Sequence, residues 1–494
     1  MLGVQGRREQ SCCAAFARHR RSWALAGTVL ATVFTVVASV SFASPSHAET
    51  LEQALSDAYL LNPVLNAERA RLRAIDEQVA LAKSGLRPFI GATGDTSYVN
   101  QNSDRGGIGG VDFGAAGLTT DGVTHPRGYA VQLSQPLFEG FQNLNAVRQA
   151  KAQVQAQREA LRSTEQTVLL DAATAYVNVV RDQAIVRLRE NDVSVLSEQL
   201  KATKDRFEVG EVTRTDTAQA EARRSEALAT LAVAQANMKT SRAAYEQVIG
   251  HPPDNLQTPP SIRHLLPQAL DEAMTLGDGE NPVILITVYN EEASLYAVEQ
   301  IMGELLPEVS LEAQYEKRFG QSQAIDEIET TTVTGRVNVP FYQGGGVSAR
   351  VRQAKETNNQ LKREVEDARL RVHADVIANW GILQSSGPAI SSAESAVSAN
   401  KIALTGVREE EKVGQRTTLD VLDAQRELLN SQIGLVTALR DRVVAEYSLY
   451  AAIGRMDAQT LGLSVPYYDP IEHYEIVKNK WFGLRPPAPP TADN

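Results

Sequence analysis

Hydrophobic and polar residues alternate in four short segments of the chain. From Glu308 to Glu316, apolar residues at every second position are separated by charged or polar ones. The same period of two occurs from Thr332 to Val339 and from Tyr129 to Ser134, and more weakly from Phe89 to Tyr98. Such alternation predicts β-strands with one apolar and one polar face. We therefore expect strands at about 88–99, 127–138, 308–318 and 332–342.

Most of the remaining chain has the composition of long helices. Between Gly140 and Gly210 there is no proline and no further glycine. Roughly 70 residues at about 1.5 Å each would extend roughly 105 Å, far longer than the helices of a compact domain. We predict helices over about 140–249 and 344–453. In the second stretch, Gly381 and the pair Gly387-Pro388 predict a kink or a break.

The chain contains this pattern twice. Asn-Pro pairs at 62–63 and 281–282 precede Pro88 and Pro307 by the same spacing. A second register, an offset of 204 residues, relates Val147–Lys151 to Val351–Lys355. That offset also relates Pro136 to Pro340, Gly140 to Gly344, Gly210 to Gly414, Asp216 to Asp420 and Gly250 to Gly454. We infer two repeats, 49–265 and 266–465, that differ mainly by a longer Gly-rich loop at 106–122 in the first.

The beginning of the chain has the order of a secretory signal peptide. Five arginines precede an apolar run from Trp23 to Ala43, and Ser46-His47-Ala48 fits a cleavage site before Glu49. The alternative is an uncleaved membrane anchor, because the run is long enough to span a bilayer. We predict that residues 1–48 are a signal peptide and that the rest is exported.

Composition argues against several classes of function. A net charge of −11 disfavours non-specific binding to nucleic acid. Cys12 and Cys13 precede the apolar run, so the mature chain has no thiol for a disulfide framework, a thiolate zinc site or a nucleophile. The mature histidines show no ligand spacing: His125, His251, His264, His373 and His473. No catalytic set can be selected either, so we predict no enzyme, no metal and no cofactor.

Four strands are too few for a membrane barrel of one chain, since such a barrel needs at least eight. If the strands cross a membrane, several chains must share one barrel. The alternative at this point is a periplasmic coiled-coil structural protein, in which the strands form soluble hairpins.

Export, repeat and strand pairs flanked by long helices together resemble the TolC family of outer-membrane efflux and type I secretion channels. The most specific segments are the turns Phe207–Asp216 and Lys412–Ala424, and the resemblance covers about residues 49–465. It implies a fold that is mainly α with a small β part. Four transmembrane strands from each of three chains would form a twelve-stranded barrel, which a periplasmic helical barrel continues.

The resemblance also implies a function and partners. A homotrimer in outer membrane lipid would passively conduct small toxic compounds, secreted proteins or both. An inner-membrane transporter of the ABC or RND type would supply the energy, and a periplasmic adaptor (membrane fusion protein) would dock at the helical tips. The family has no catalysis and no cofactor. Residues 466–494, which end in a Pro-rich stretch, are expected to be a flexible tail.

Gly210 and Gly414 lie where a long helix must reverse. Glycine ends a helix readily because it adopts a positive φ. The resemblance implies that these two turns are the adaptor-docking tips.

Two acids in the second turn are candidates for a charged entrance. Thr213-x-x-Asp216 and Thr417-x-x-Asp420 have capping-box spacing, but this does not explain Asp423, on the same face as Asp420. The resemblance places Asp420 and Asp423 at the periplasmic entrance. Three chains would give two stacked carboxylate rings, which favour cations.

Arg416 matches a family position that links to the neighbouring turn and keeps the entrance shut. Its expected partners are Thr215 and Asp216, and an exposed ion pair of little energy is the alternative. Glu411 departs from the family pattern, which has an aromatic hydroxyl residue there. Its carboxylate would repel Asp216, which predicts a weaker latch or one that uses Arg214.

Overall fold

A computed structural model of the chain describes residues 49–101, 122–322 and 325–487. The predicted signal peptide and nearly all of the predicted Gly-rich loop therefore lie outside the described residues. Two pairs of long helices and a four-stranded sheet make up most of the described chain.

The helices of the two repeats correspond in order and length. The first repeat contains α1 (Leu51–Leu61), α2 (Pro63–Ser84), α3 (Gln142–Glu208) and α4 (Arg214–Ile249). The second contains α5 (Leu270–Glu280), α6 (Pro282–Gly303), α7 (Gly346–Lys412) and α8 (Thr418–Ala452), and α9 (Glu472–Val477) follows. Within the described ranges, no helix combines the length and the apolar character needed to cross a bilayer.

The repeated Asn-Pro pairs start equivalent helices. The side chain of Asn62 accepts a hydrogen bond of 2.9 Å from the N–H of Val64, and Asn281 accepts one of the same length from Val283. The proline that follows each asparagine is the first helical residue, where its missing N–H costs nothing. The repeated Asn-Pro pairs are therefore equivalent N-terminal caps of α2 and α6.

Four strands form one antiparallel sheet: β1 (Phe89–Thr96), β4 (Arg127–Glu139), β5 (Glu308–Ser322) and β6 (Ile325–Asn338). Neighbouring strands in the sheet follow this order. The short strands β2 (Val99–Gln101) and β3 (Gly122–Thr124) pair separately. The last strand starts and ends earlier than the alternation predicts, because residues from Ile325 onward already pair with β5.

In the middle of this sheet, the register places mostly apolar side chains on one face and polar ones on the other. Side chains of directly paired residues point to the same face. One face carries the rows Ile90–Leu133–Ala313–Val333 and Ala92–Val131–Tyr315–Thr331, and the other carries Gly91–Gln132–Gln314–Thr332. Ile90 and Val333 are 66% and 68% exposed in the single chain. The apolar face therefore lacks the cover that a soluble hairpin would have.

Of the kink or break predicted in the second long helix, the break is wrong. Helix α7 runs without interruption from Gly346 to Lys412, with Pro388 inside it. A proline removes one hydrogen bond of the helix and crowds the preceding turn. The hydroxyls of Ser385 and Ser386 donate to carbonyls one turn back, at 2.9 and 2.6 Å, and α6 and α8 pack along the helix. This support outweighs the local cost of the proline.

The expected flexible tail is packed in its described part, up to residue 487. The N–H of Tyr468 donates to the hydroxyl of Tyr59 at 2.9 Å. In α9, Nδ1 of His473 lies 3.0 Å from Oδ2 of Asp76, and both side chains are buried. Pairing and aromatic packing against α1 and α2 thus order a segment that composition alone suggests is loose.

The largest core cluster gathers α1 and parts of α2 and α4–α8 around the middle of α3. Its fully buried members include Tyr176, Tyr245 and Tyr450. Glu446 lies fully buried in α8 beside this cluster. Its carboxylate accepts hydrogen bonds from the Ser261 hydroxyl at 2.8 Å and from the Ile262 N–H at 3.0 Å, and it pairs with Arg442.

Replacement of Glu446 by alanine should destabilise the fold, because it leaves the buried N–H of Ile262 without its acceptor. Loss of one partner in a buried charged network lowers the free energy of unfolding by about 3 kcal/mol. Urea unfolding monitored by tryptophan fluorescence measures this change. Glu366→Ala removes an exposed acid of α7 and serves as the control, for which we expect a change below about 0.5 kcal/mol. Equal midpoints for the two variants would contradict the prediction.

Candidate functional site at the two helical turns

The turns α3–α4 and α7–α8 have the same backbone geometry. Gly210 and Gly414 have φ angles of +78° and +76°. The N–H of Glu211 donates to the carbonyl of Arg206, five residues back, and Gln415 repeats this bond to Glu410, each at 2.9 Å. This pattern is the Schellman motif, with glycine at the left-handed position. The prediction that both glycines end their helices through a positive φ is confirmed.

Both predicted capping boxes are present immediately after these turns. The carboxylate of Asp216 accepts from the N–H of Thr213 at 2.9 Å, and Asp420 accepts from Thr417 at the same distance. Each threonine hydroxyl in turn accepts from the N–H of the acid at 3.3 Å. Bonds from the backbone and side chain of the threonine hold the pKa of both carboxyls below the ordinary range. The two acids therefore remain ionised at neutral pH.

Asp423 has a different environment from Asp420, one turn away. Its Oδ1 accepts a hydrogen bond of 2.9 Å from Arg223 of α4, and Arg426 approaches the same oxygen at 3.4 Å. The carboxylate is thus shared between two guanidinium groups, one from each hairpin. In the single chain, Asp420 caps its own helix, whereas Asp423 joins the α3–α4 hairpin to the α7–α8 hairpin.

Arg416 does not contact its expected partners within the chain. Its Nε lies 2.9 Å from Oε2 of Glu410, at the end of the preceding helix. Thr215 is exposed, and the carboxylate of Asp216 caps its own helix. A link from Arg416 to Thr215 or Asp216 is therefore a prediction about neighbouring copies of the chain.

A different arginine connects the two turns. Nη1 of Arg206, at the end of α3, lies 2.6 Å from Oε1 of Glu411, at the end of α7, and its Nη2 lies 3.1 Å from Glu211. Hydrogen bonds to Glu411 and Glu211 raise the pKa of the Arg206 guanidinium. The residue that departs from the family pattern thus has a cationic partner. In the sequence, the basic Arg206 and the acidic Glu411 lie shortly before equivalent turns of the two repeats. This difference in charge could have predicted the pair, but the sequence analysis did not use it.

An apolar contact lies behind these ion pairs. Leu196 of α3, Ala227 of α4 and Leu422 of α8 form a small buried cluster. Two charged links and this cluster together hold the turns of the two repeats side by side.

The two repeats also match one family model. The model described as "Outer membrane efflux protein" matches residues 54–251 and 279–455. The chain belongs to this family. The two matched segments contain both helical turns and all four strands of the large sheet.

Individual relatives agree with this membership. "Outer membrane efflux protein BepC" of Brucella suis biovar 1 (strain 1330) is 43% identical over 89% of this chain and 92% of its own length. "Outer membrane protein TolC" of Escherichia coli (strain K12) is 25% identical over 85% of each chain. The crystal structure of the Campylobacter jejuni CmeC outer membrane channel superposes with a TM-score of 0.73 at 15% identity, covering 87% of this chain and 89% of that one.

These similarities decide between the two functions that the sequence left open. The fold is that of the TolC-like channels, and the protein is an outer-membrane exit duct with a large periplasmic helical part. The periplasmic coiled-coil alternative is thereby set aside.

Proposed function

We propose that three copies of this chain form one passive, non-enzymatic channel. The two-faced sheet carries this proposal. Its outer strands, β1 and β6, each pair with a strand of the sheet on one side only. Unpaired backbone groups are not tolerated in hydrocarbon, so each edge needs a partner strand. Pairing β6 of one copy with β1 of the next would close a twelve-stranded barrel from three four-stranded sheets.

The helices support the same arrangement. Helix α6 packs against both α3 and α7, whereas its counterpart in the first repeat, α2, packs against α3 and the short helix α9 but against no second long helix of the described chain. By the repeat symmetry, α7 of the next copy would cover the other side of α2. Large apolar side chains are exposed on both helices in the single chain, among them Val64, Leu81, Leu370 and Ile377. A closed ring of three copies would bury such surfaces.

The bare turns at Gly210 and Gly414 suit an adaptor-docking surface. Apart from the two adjacent residues, no heavy atom lies within 4 Å of the position that a Cβ would take at either glycine, so a partner can approach the backbone closely. A periplasmic adaptor would dock there and connect the duct to an inner-membrane transporter of the ABC or RND type. Small toxic compounds, secreted proteins or both would then leave through the channel.

The same turns would form the periplasmic entrance. Asp420 and Asp423 of three copies would give two carboxylate rings, of which the Asp423 ring is partly compensated by Arg223 and Arg426. Such rings attract cations and exclude anions. Arg416, half exposed beside Glu410, would reach Thr215 and Asp216 of the neighbouring copy and keep the entrance shut.

Conductance in a planar bilayer tests this function. Purified mature protein should give a small, cation-selective single-channel conductance, because a shut entrance lined by acids restricts and selects ions. Asp420→Asn/Asp423→Asn should lower the cation preference at neutral pH and leave a channel.

The matched control is Glu364→Gln/Glu366→Gln, which removes two acidic charges from α7 away from the turns. Its selectivity should equal that of the wild type. Protein that forms no channel and stays soluble without detergent would refute the duct. If Asp420→Asn/Asp423→Asn forms a channel with the wild-type ion selectivity, the entrance rings are refuted and the duct is not.

A further inference from the structure

Three potential metal ligands from distant parts of the sequence converge beside the end of α4. Glu49 precedes α1, Asp57 lies within α1, and His251 follows the glycine that caps α4. Nε2 of His251 lies 3.3 Å from Oδ2 of Asp57 and 3.7 Å from Oε1 of Glu49. The three ligand atoms all lie within 4.8 Å of one another. Sequence spacing could not predict this group, since about 200 residues separate His251 from both acids.

The second ring nitrogen of His251 determines which atom faces the acids. Nδ1 lies 3.1 Å from the carbonyl oxygen of Pro252. A carbonyl only accepts hydrogen bonds, so Nδ1 carries a proton. Nε2 therefore either carries a second proton or presents a lone pair to the two carboxylate oxygens. A lone pair next to two negatively charged oxygens is repelled by them. The geometry therefore calls for a cation between these groups, either a proton or a metal ion.

The two distances from His251 suit a metal ion. Ligands at about 2.0–2.2 Å from a tetrahedral Zn²⁺ lie about 3.4 Å apart. The distances of 3.3 and 3.7 Å from His251 bracket this value. The side chains of His251 and Asp57 are 34% and 42% exposed, which leaves a path for the ion and a position for water.

Surrounding groups hold the ligands in the way that metal sites require. The buried hydroxyl of Tyr245 donates to Oε1 of Glu49, and the N–H of Asp254 approaches Oε2 at 3.4 Å. The Pro252 carbonyl fixes the tautomer of His251. Hydrogen bonds of this kind orient ligating carboxylates and imidazoles and are found around most protein metal sites.

We propose that Glu49, Asp57 and His251 bind one Zn²⁺ ion per chain. The ion would join the start of the mature chain and α1 to the end of α4, beside the main core cluster. Its role is structural, because the group lies outside both helical turns.

A second histidine–acid pair provides the matched control. Nε2 of His373 lies 2.7 Å from Oδ1 of Asp278. This pair belongs to none of the three-ligand groups of the described chain. One histidine and one carboxylate bind Zn²⁺ far more weakly than three converging ligands.

The test is calorimetric titration of the metal-free mature protein, without a polyhistidine tag, with Zn²⁺. We expect one ion per chain in the wild type and in His373→Gln. Affinity should fall more than about 100-fold in His251→Gln and about 10–100-fold in Tyr245→Phe, which loses only a supporting donor. Asp57→Asn is a second ligand variant for the case in which His251→Gln fails to fold. X-ray absorption of the zinc-loaded protein should show nitrogen and oxygen neighbours at about 2.0–2.1 Å.

Three outcomes would overturn the proposal. The first is a wild type that takes up no Zn²⁺ at millimolar concentration, which would leave a protonated imidazole as the cation. The second is full binding by His251→Gln or by Asp57→Asn. The third is an equal loss in His251→Gln and His373→Gln, which would indicate non-specific surface binding.

Discussion

Replacement of Gly140 by alanine is expected to prevent formation of a stable channel. Gly140 joins β4 to α3 with a φ angle of +57°. A Cβ at this position would lie 2.1 Å from the carbonyl oxygen of Gly303, at the end of α6. Real Cβ atoms do not approach so closely, and the obstacle is backbone rather than a flexible side chain. The junction between sheet and helices would have to separate from α6.

The expected cost combines two effects. A non-glycine residue with positive φ costs about 1–3 kcal/mol, and overpacking costs about 1–3 kcal/mol more. Gly210→Ala isolates the first effect, because its φ is +78° and no heavy atom lies near the added Cβ. We expect Gly140→Ala to yield little folded trimer after refolding or membrane extraction, and Gly210→Ala to yield nearly the wild-type amount.

Heat-resistant trimer on a semi-native gel, with the urea midpoint of any surviving protein, measures this difference. Similar yields and midpoints for the two variants would show that the junction can relax. The close approach of Gly140 to Gly303 would then not be essential for assembly.

Local patterns were sufficient to predict the four main strands and the long helices of this fold. Alternation in Glu308–Glu316 predicted a strand because side chains of a two-faced sheet alternate between its faces. The Asn-Pro pairs indicated a repeat, and only the structure shows that each pair starts a helix. The capping acids Asp216 and Asp420 were predictable because capping is a local interaction. Pro388 does not break α7, contrary to the local pattern, because the energetic cost of a proline is local, whereas the packing that offsets it is not.

The contacts between hairpins were not predictable in the same way. The pairs Arg206–Glu411 and Arg223–Asp423 join residues that are 205 and 200 positions apart. Which residues meet depends on the axial register of two packed hairpins, and a shift of one turn would change every partner. His251 shows the same limit, since its two acids reach it only after α1 packs against α4.

Removal of the two arginines that join the hairpins is expected to open the entrance. The variant is Arg206→Ser/Arg223→Ser, which leaves Glu411 and Asp423 without these cations. If the proposed entrance opens by separation of the α3–α4 and α7–α8 hairpins, both links would have to break. The released acids would also repel Asp420, whose cap keeps it ionised.

The magnitude follows from the number of links. A partly exposed ion pair contributes about 0.5–1 kcal/mol. Two links in each of three copies would together contribute about 3–6 kcal/mol, and about 5.5 kcal/mol moves a two-state equilibrium from 1:99 to 99:1. We therefore expect a severalfold rise in mean single-channel conductance at neutral pH. Moderate salt should raise the wild-type conductance more than ion concentration alone explains, because it screens these pairs.

Arg363→Ser/Arg371→Ser is the matched control, since both arginines pair within α7, away from the turns. It removes the same charge and should leave the conductance unchanged. Arg416→Ser separates the two possible latches, because Arg416 makes no link between hairpins within the chain. A large rise in Arg416→Ser, with none in Arg206→Ser/Arg223→Ser, would place the latch between copies. The reverse result would place it within each chain, where the carboxylate of Glu411 binds Arg206.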